Sequence, residues 1–202
     1  MKYTREESIA FFKEHNSDDM YFRHALAVEA AMKHLARRYG EDEELWARAG
    51  LLHDIDWETT QSAERGHPVK GGEMLREQGY EEEIIRAELA HGWEFSGVEP
   101  KSRMERALYA VDELTGFVTA VALVRPGRSL SDLGVKSVKK KWKDKAFARG
   151  VNREVVERGV KLMGESLEWL IERTIEGLKP VENEIGLGTA EQPPGTTSTP
   201  NC

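Results

Sequence analysis

The sequence predicts an all-α protein, and three observations carry that prediction. Apolar residues recur at intervals of three and four along most of the chain, alternation of β-branched residues is nowhere sustained, and capping signals mark several helix ends. The 202 residues are enough for one domain with a sizeable core, and we assign residues 1–179 to a single helical bundle. From Pro180 onward the chain is rich in Gly, Pro, Thr and Glu, which predicts a disordered tail over residues 180–202.

Local signals place the individual helices. Thr4 and Glu7 have the spacing of a capping box, so a helix is expected to begin directly after Thr4. Gly40 ends the second helix, Gly79 separates two short ones, and Pro126 with Gly127 follows a long apolar one. The predicted helices span about residues 5–15, 20–39, 42–54, 68–78, 81–91, 103–124, 152–163 and 165–178.

Composition excludes several classes of protein. The net charge of -7 and the isoelectric point near 5.5 argue against general nucleic-acid binding. The longest apolar run, within residues 117–124, is too short to cross a bilayer, and the charged N-terminal helix does not resemble a signal peptide. The single cysteine, Cys202, allows neither an internal disulfide nor a cysteine-rich zinc site. We therefore expect a cytoplasmic protein without membrane association.

Histidines and aspartates occupy positions where amphipathic helices would otherwise carry apolar core residues. His24 shares a helix face with Val28 and Leu35, and Asp112 lies beside Leu108 on the inner face of a very apolar helix. Buried ionisable groups are costly unless they are paired, and bound metal ions can pair with several of them at once. The candidate ligands are His24, His53, Asp54, His67, His91 and Asp112. The pattern thus predicts a metal centre inside a helical bundle.

Each candidate ligand also has a structural interpretation. His24 alone is equally consistent with a hydrogen-bonded core histidine. For Asp112 the structural alternative is a buried salt bridge, which is the less favoured interpretation. His67, beside a proline at a helix start, would by itself be interpreted as a surface residue. His15 and His34 are left out of the site, because His15 ends a charged helix and His34 lies on a different face from His24.

The order His…His-Asp…Asp resembles the signature of the HD superfamily of metal-dependent phosphohydrolases. The segment from Leu51 to Asp56, Leu-Leu-His-Asp-Ile-Asp, is similar to its HDIG subgroup, and His67 and His91 resemble the two-metal H-HD-H-H-D variant. The resemblance covers about residues 20–178. Asp56 stands where that subgroup has glycine. Trp57 stands where some single-metal nucleotidases of the superfamily have a catalytic glutamate, and Glu58 follows it.

The resemblance implies an HD-type helical bundle and a division of the ligands between two ions. His24, His53, Asp54 and Asp112 would hold the first ion, and Asp54 would bridge to a second ion completed by His67 and His91. Imidazole and carboxylate ligands suit Mn, Fe, Co, Ni or Zn, so we expect one or two such divalent ions. His53 and Asp54 would be the catalytic doublet, since the ions that they hold would activate a water.

Basic residues are the candidate contacts for the substrate. A lysine-rich segment, residues 136–145, locally reverses the acidic charge of the chain and would attract anions. Its plain alternative is a solvated, loosely helical surface. The predicted substrate-binding residues are Arg125, Arg128, Lys139, Lys140 and Arg149, and Lys70 is assigned a catalytic contact with phosphate because it lies one turn after His67.

Three functions remain open from the sequence. The first is hydrolysis of a small phosphate mono- or diester, with a nucleotide as the expected substrate. The second is a di-iron oxygenase of the H-HD-H-H-D type, whose ligands are the same. The third is a non-catalytic sensor that binds a nucleotide in the pocket. The intact set of six ligands favours an enzyme over a sensor, and the basic segment favours hydrolysis.

Overall fold

A computed structural model describes residues 1–60 and 66–188 of the chain. The described residues form helices and connecting turns without a strand, which confirms the all-α prediction. The helices are α1 (Arg5–His15), α2 (Asp19–Tyr39), α3 (Glu43–Leu52), α4 (Trp57–Thr60), α5 (Val69–Gln78), α6 (Glu82–His91), α7 (Trp93–Ser96), α8 (Arg103–Leu123), α9 (Val135–Trp142), α10 (Arg153–Met163) and α11 (Leu167–Leu178), followed by a 3₁₀ turn (Lys179–Val181).

Side-chain caps fix the ends of the helices that carry the site. Thr4 and Glu7 form the reciprocal capping box that their spacing predicts. Asp18 caps α2 by accepting the Met20 N–H, and Ser102 caps α8. Gly40 ends α2 with a left-handed φ of 70°, a conformation that is cheapest for glycine.

The core is built around α2, α3 and α8, which pack on one another. α2 and α3 approach so closely at Gly50 that a Cβ atom there would lie 2.8 Å from the Val28 carbonyl oxygen. This close contact brings the end of α3 beside the middle of α2, opposite the apolar face of α8. The three helices together define the place where the predicted ligands meet.

Two local features differ from the sequence prediction. α3 ends at Leu52, so His53 and Asp54 lie in a turn rather than in the last turn of a helix. α9 was not assigned as a helix, yet residues 135–142 form one whose Val138 and Trp142 are buried. The lysines of α9 obscured these two apolar positions, which lie four residues apart on one face.

The predicted tail begins too early. Ile185 and Leu187 are only 5% and 4% exposed and belong to the core. The Leu130 N–H donates to Glu182 Oε1 (2.9 Å), and the Gly188 N–H donates to the Arg128 carbonyl (2.8 Å). The composition of this stretch concealed the two aliphatic side chains, so the packed chain extends at least to residue 188. The rest of the predicted tail, residues 189–202, lies outside the described residues.

Within the described part of the chain, none of the helices combines the length and the apolar character that crossing a bilayer requires.

Candidate metal centre

All six predicted ligands converge, although they come from separate parts of the fold. His24 lies on α2, Asp112 on α8, and His91 at the end of α6. His53 and Asp54 lie in the turn that follows α3, and His67 precedes α5. Because this turn breaks the helix, the two adjacent side chains can both reach the centre.

The first group of ligand atoms contains His24, His53, Asp54 and Asp112. His24 Nε2 lies 2.9 Å from Asp112 Oδ1 and 3.8 Å from Asp54 Oδ2. His53 Nε2 lies 3.3 Å from both Asp54 Oδ2 and Asp112 Oδ1. The four ligand atoms all lie within 4.8 Å of one another, which is compact enough to hold one metal ion.

The second group shares Asp54 with the first and adds His67 and His91. Asp54 Oδ1 lies 3.5 Å from His67 Nε2 and 3.8 Å from His91 Nε2. Asp54 therefore presents Oδ2 to one group and Oδ1 to the other. A carboxylate placed in this way could hold two ions at once.

Hydrogen bonds on the outer side of three imidazoles determine what their inner nitrogens can do. His53 Nδ1 lies 2.8 Å from the Gly50 carbonyl, and His67 Nδ1 lies 2.8 Å from Asp56 Oδ1. His91 Nδ1 lies 2.5 Å from the Glu88 carbonyl. Each of these oxygens can only accept, so each Nδ1 carries a proton, and each Nε2 faces the centre, where it can bind a cation once it carries no proton itself.

This arrangement fits a divalent cation. His53 Nε2 is fully buried and has no hydrogen-bond partner among the described residues, yet it faces two carboxylate oxygens. Lone pairs and carboxylates directed at one another in a buried site repel unless a positive charge lies between them. Imidazole and carboxylate donors are the set preferred by first-row transition metals.

The electrostatics of the buried groups lead to the same conclusion. Burial alone would lower the pKa of His53, but the carboxylates of Asp54 and Asp112 raise it well above its ordinary value. Burial alone would raise the pKa of Asp54, but His53 holds it well below its usual range. Burial lowers the pKa of His91, which favours the neutral ring as a ligand. The site therefore stabilises positive charge at its middle.

A second layer of buried carboxylates, which the sequence prediction missed, lies behind the ligands. Asp56 accepts the His67 Nδ1–H through Oδ1 and the Gly71 N–H through Oδ2, each at 2.8 Å. Both carboxylate oxygens of Glu88 are buried without a hydrogen-bond partner among the described residues, and Oε2 lies 3.4 Å from His91 Nδ1. Burial, followed by the charge of Asp56, raises the pKa of Glu88 well above its usual range.

The sequence did contain signals for this layer. Asp56 stands where the resembling subgroup has glycine, and Glu88 lies one helical turn before His91 on the buried face of α6. Asp56, His67 and Glu88 form a third group of ligand-type atoms within 4.8 Å.

A cavity of about 890 Å³ opens onto the centre. Five of the six predicted ligands line it, and the sixth, His53, is completely buried beneath them. Arg23 and Arg128 also line the cavity, and neither forms an ion pair with another described residue. A volume of this size suits a small molecule.

The structure places Arg128 in the cavity wall but not the other predicted basic contacts. Arg125 pairs with Asp132, Lys139 with Glu168 and Lys70 with Glu73. Lys140 and Arg149 are exposed and do not line the cavity. The amphipathic α9 packs Val138 and Trp142 inward, and none of its lysines lines the cavity.

Other lining residues were overlooked by the sequence prediction. Arg23 immediately precedes the ligand His24, and Glu113 immediately follows Asp112. Glu113 Oε2 accepts the Asn152 N–H (3.0 Å), and burial together with the Asp112 carboxylate raises the pKa of Glu113 to about 7. Glu58, by contrast, binds the N–H and hydroxyl of Ser17 and is absent from the cavity wall.

Comparison with known proteins places this centre in a family. Residues 21–116, which include all six candidate ligands, match the model of the HD domain. Similar proteins include Ribonuclease Y of Oleidesulfovibrio alaskensis, 34% identical over 94 residues that make up 46% of this chain and 18% of that protein. Ribonuclease Y of Geobacter sulfurreducens is 27% identical over 169 residues, 81% of this chain and 31% of that protein.

A third relative, Ribonuclease Y of Sulfurovum sp., is 33% identical over 143 residues, 65% of this chain and 26% of that protein. The chain thus spans less than a third of the length of these relatives. No solved structure is significantly similar to the chain. The match over residues 21–116 shows that this part of the chain is an HD domain, as the resemblance predicted.

Proposed function

We propose that this protein is a metal-dependent phosphohydrolase that acts on a small phosphate mono- or diester, with a nucleotide as the first candidate substrate. One observation carries the proposal. Three imidazole Nε2 lone pairs and two carboxylates converge around Asp54 at the floor of a cavity of small-molecule size. The alternatives are a di-iron oxygenase with the same ligands and a non-catalytic nucleotide sensor.

The ligands divide between two ions. His24, His53, Asp54 and Asp112 would hold one ion, and Asp54, His67 and His91 the other. Divalent ions bound there would supply a nucleophilic hydroxide near neutral pH and would polarise a phosphoryl oxygen. Asp56 and the Glu88 carbonyl keep the His67 and His91 rings in the ligating tautomer.

The remaining residues of the cavity bind and orient the ester. The free guanidinium groups of Arg23 and Arg128 can each make paired hydrogen bonds to phosphoryl oxygens. Arg128 has a left-handed φ of 44°, which is rare outside glycine and is a kind of strain often found at functional sites. The Trp57 ring packs edge-on against His67, with ring centroids 4.9 Å apart, and shields that imidazole from water.

The relatives raise a second candidate function. They are named as ribonucleases, so a phosphodiester bond of RNA is an alternative substrate for this HD domain. The cavity wall offers little support for a long polyanion, because Asp18, Asp19 and Glu94 line it beside the two arginines. Channels for single-stranded nucleic acid are usually basic. We therefore place RNA second to a small ester.

The test is turnover by protein stripped of metal and reloaded with Mn²⁺, Co²⁺ or Fe²⁺. The substrates are nucleoside mono-, di- and triphosphates, cyclic nucleotides, simple phosphate esters and a short oligoribonucleotide, each with and without oxygen. We expect metal-dependent hydrolysis of a small ester that does not require oxygen, and none by Asp54→Asn. Cleavage of the oligoribonucleotide alone would favour the ribonuclease function, and oxygen-dependent product formation would favour an oxygenase. Metal-bound protein that turns over none of them would refute hydrolysis.

A further inference from the structure

Three unusually exposed apolar side chains line the metal cavity. In the described part of the chain, five large apolar residues are strongly exposed, and three of them line this cavity: Met20 at 63%, Phe95 at 79% and Leu123 at 40%. They come from α2, α7 and α8. Single exposed apolar residues are ordinary, but three that line one cavity from three different helices indicate an apolar part of its wall.

An uncharged track connects Leu123 with the metal centre. On α8, Gly116, Thr119, Ala120 and Leu123 follow Asp112 at helical spacing, and all of them line the cavity. Asp112 and Leu123 are separated by about 16 Å along the helix axis, since each residue adds about 1.5 Å. No other atom lies within 4 Å of the Cβ position of Gly116, so the track has free space beside it.

The charges along the cavity limit what can lie on this track. Beyond the predicted ligands, the acidic residues Asp18, Asp19, Glu94 and Glu113 line the wall, and the basic residues among the described lining residues are Arg23 and Arg128. Glu94 is neutralised by Arg158, whose Nη1 lies 2.6 Å from its Oε1. The two arginines and the bound ions match the charge of one phosphoryl group. A chain of several phosphates would meet uncompensated aspartates.

We propose that the substrate is a phosphate ester whose organic part is uncharged and apolar, an alkyl or aryl group. Its phosphoryl group lies at the metal centre, and its apolar group follows α8 towards Leu123, with Met20 on the neighbouring helix α2. The inference rests on the proposed function and replaces the nucleotide, its first candidate substrate, with esters of apolar alcohols.

Alkylphosphonates test this inference without turnover, because their carbon–phosphorus bond is not hydrolysed as an ester. Methyl-, butyl- and hexylphosphonate are titrated by calorimetry into the Mn²⁺-loaded protein. Burial of one methylene strengthens binding by up to about fourfold, so the five added methylenes of hexylphosphonate could contribute up to about 1,000-fold. If only half of that free energy is realised, hexylphosphonate still binds about 30-fold more tightly than methylphosphonate, and we expect at least this difference. Equal affinities for methyl- and hexylphosphonate would overturn the inference.

Substitutions test whether the gain in affinity with chain length arises at the track on α8. Leu123→Ser should lower the affinity for hexylphosphonate about tenfold and leave the affinity for methylphosphonate unchanged. Val124→Ser is the matched control, because Val124 is its equally apolar neighbour, 59% exposed, and does not line the cavity. Gly116→Leu, which meets no protein atom within 4 Å at Cβ, should fill the track and remove the advantage of the longer chain while the metal content stays unchanged. Equal losses in Leu123→Ser and Val124→Ser would refute the placement.

Failure of the inference and failure of the proposed function give different results. Metal-dependent ester hydrolysis without any dependence on chain length would refute the apolar track alone. Graded phosphonate binding by a metal-loaded protein that hydrolyses no ester would refute the hydrolase and support the track as a binding site.

Discussion

His67 Nε2 and His91 Nε2 lie only 2.8 Å apart, while the Nδ1 atom of each ring faces an oxygen that can only accept a hydrogen bond. In their neutral form, two rings held in this way direct lone pairs at each other, and a cation bound beside them would remove this repulsion. The outer partners, Asp56 and the carbonyl of Glu88, therefore prepare the second half of the centre for an ion.

Replacing Asp56 should selectively lower the affinity for the second ion, which His67 and His91 would bind together with Asp54. Asp56→Gly restores the glycine of the HDIG pattern and removes the acceptor that orients His67. Loss of such an outer partner typically costs 10- to 100-fold in metal affinity, so we expect a loss of about this size for the second ion and a smaller one for the first. Calorimetric titration with Mn²⁺ measures both. Asp19→Asn, which changes an acid of the cavity wall, is the control, and equal losses in the two variants would refute the role of Asp56.

Gly71 is expected to tolerate no side chain. A Cβ atom there would lie 2.1 Å from Glu88 Oε1 and 3.1 Å from Ile55 Cγ2, and Glu88 is buried against Asp56 and His91. Gly71→Ala should lower the free energy of unfolding by about 1–3 kcal/mol, the usual cost of overpacking. The control is Gly116→Ala, which makes the same change in a helix with open space and should stabilise the protein by up to about 1 kcal/mol. Chemical denaturation measures both, and equal effects would contradict the packing described here.

Arg128 should matter for substrate binding, whereas Lys140 should not. Arg128 lines the cavity without an ion pair to another described residue, and Lys140 is exposed on α9 away from it. Loss of one charge-assisted contact of about 1.5–3 kcal/mol corresponds to a rise in KM of about 10- to 100-fold. Steady-state kinetics should show that rise for Arg128→Ala, with a smaller change in kcat, and no change for Lys140→Ala. A larger effect of Lys140→Ala would restore the lysine-rich segment as the substrate contact.

The C-terminal segment should contribute to stability up to residue 188. Deleting residues 183–202 removes Ile185 and Leu187, and burial of each such side chain stabilises the fold by about 1.5–3 kcal/mol. We expect a clear fall in Tm for this deletion. The composition of residues 189–202 predicts that deleting them alone leaves Tm unchanged. If both deletions behave alike in differential scanning calorimetry, the packing of Ile185 and Leu187 contributes nothing.

The sequence predicted those site residues that interrupt a helical pattern or match a motif. Asp112 interrupts an otherwise apolar stripe, so its burial beside His24 was predictable, and the resemblance supplied His67, which no periodicity marked. The position of Arg23 in the cavity was not predictable, because it depends on how the segment around Gly186 packs against α2. A related limit applies to α9, because local charge does not reveal which face of a helix meets the core.

Metal content shows most simply whether six side chains share two ions through Asp54. Protein reloaded with Mn²⁺ and freed of excess metal is assayed by elemental analysis beside Asp54→Asn, His91→Asn and His34→Asn. The expected contents are two ions per chain for the wild type, one for His91→Asn and fewer than one for Asp54→Asn. His34, on the same helix as His24 but outside the centre, serves as the control and should retain two. Two ions retained by Asp54→Asn, or none bound by the wild type, would contradict the account.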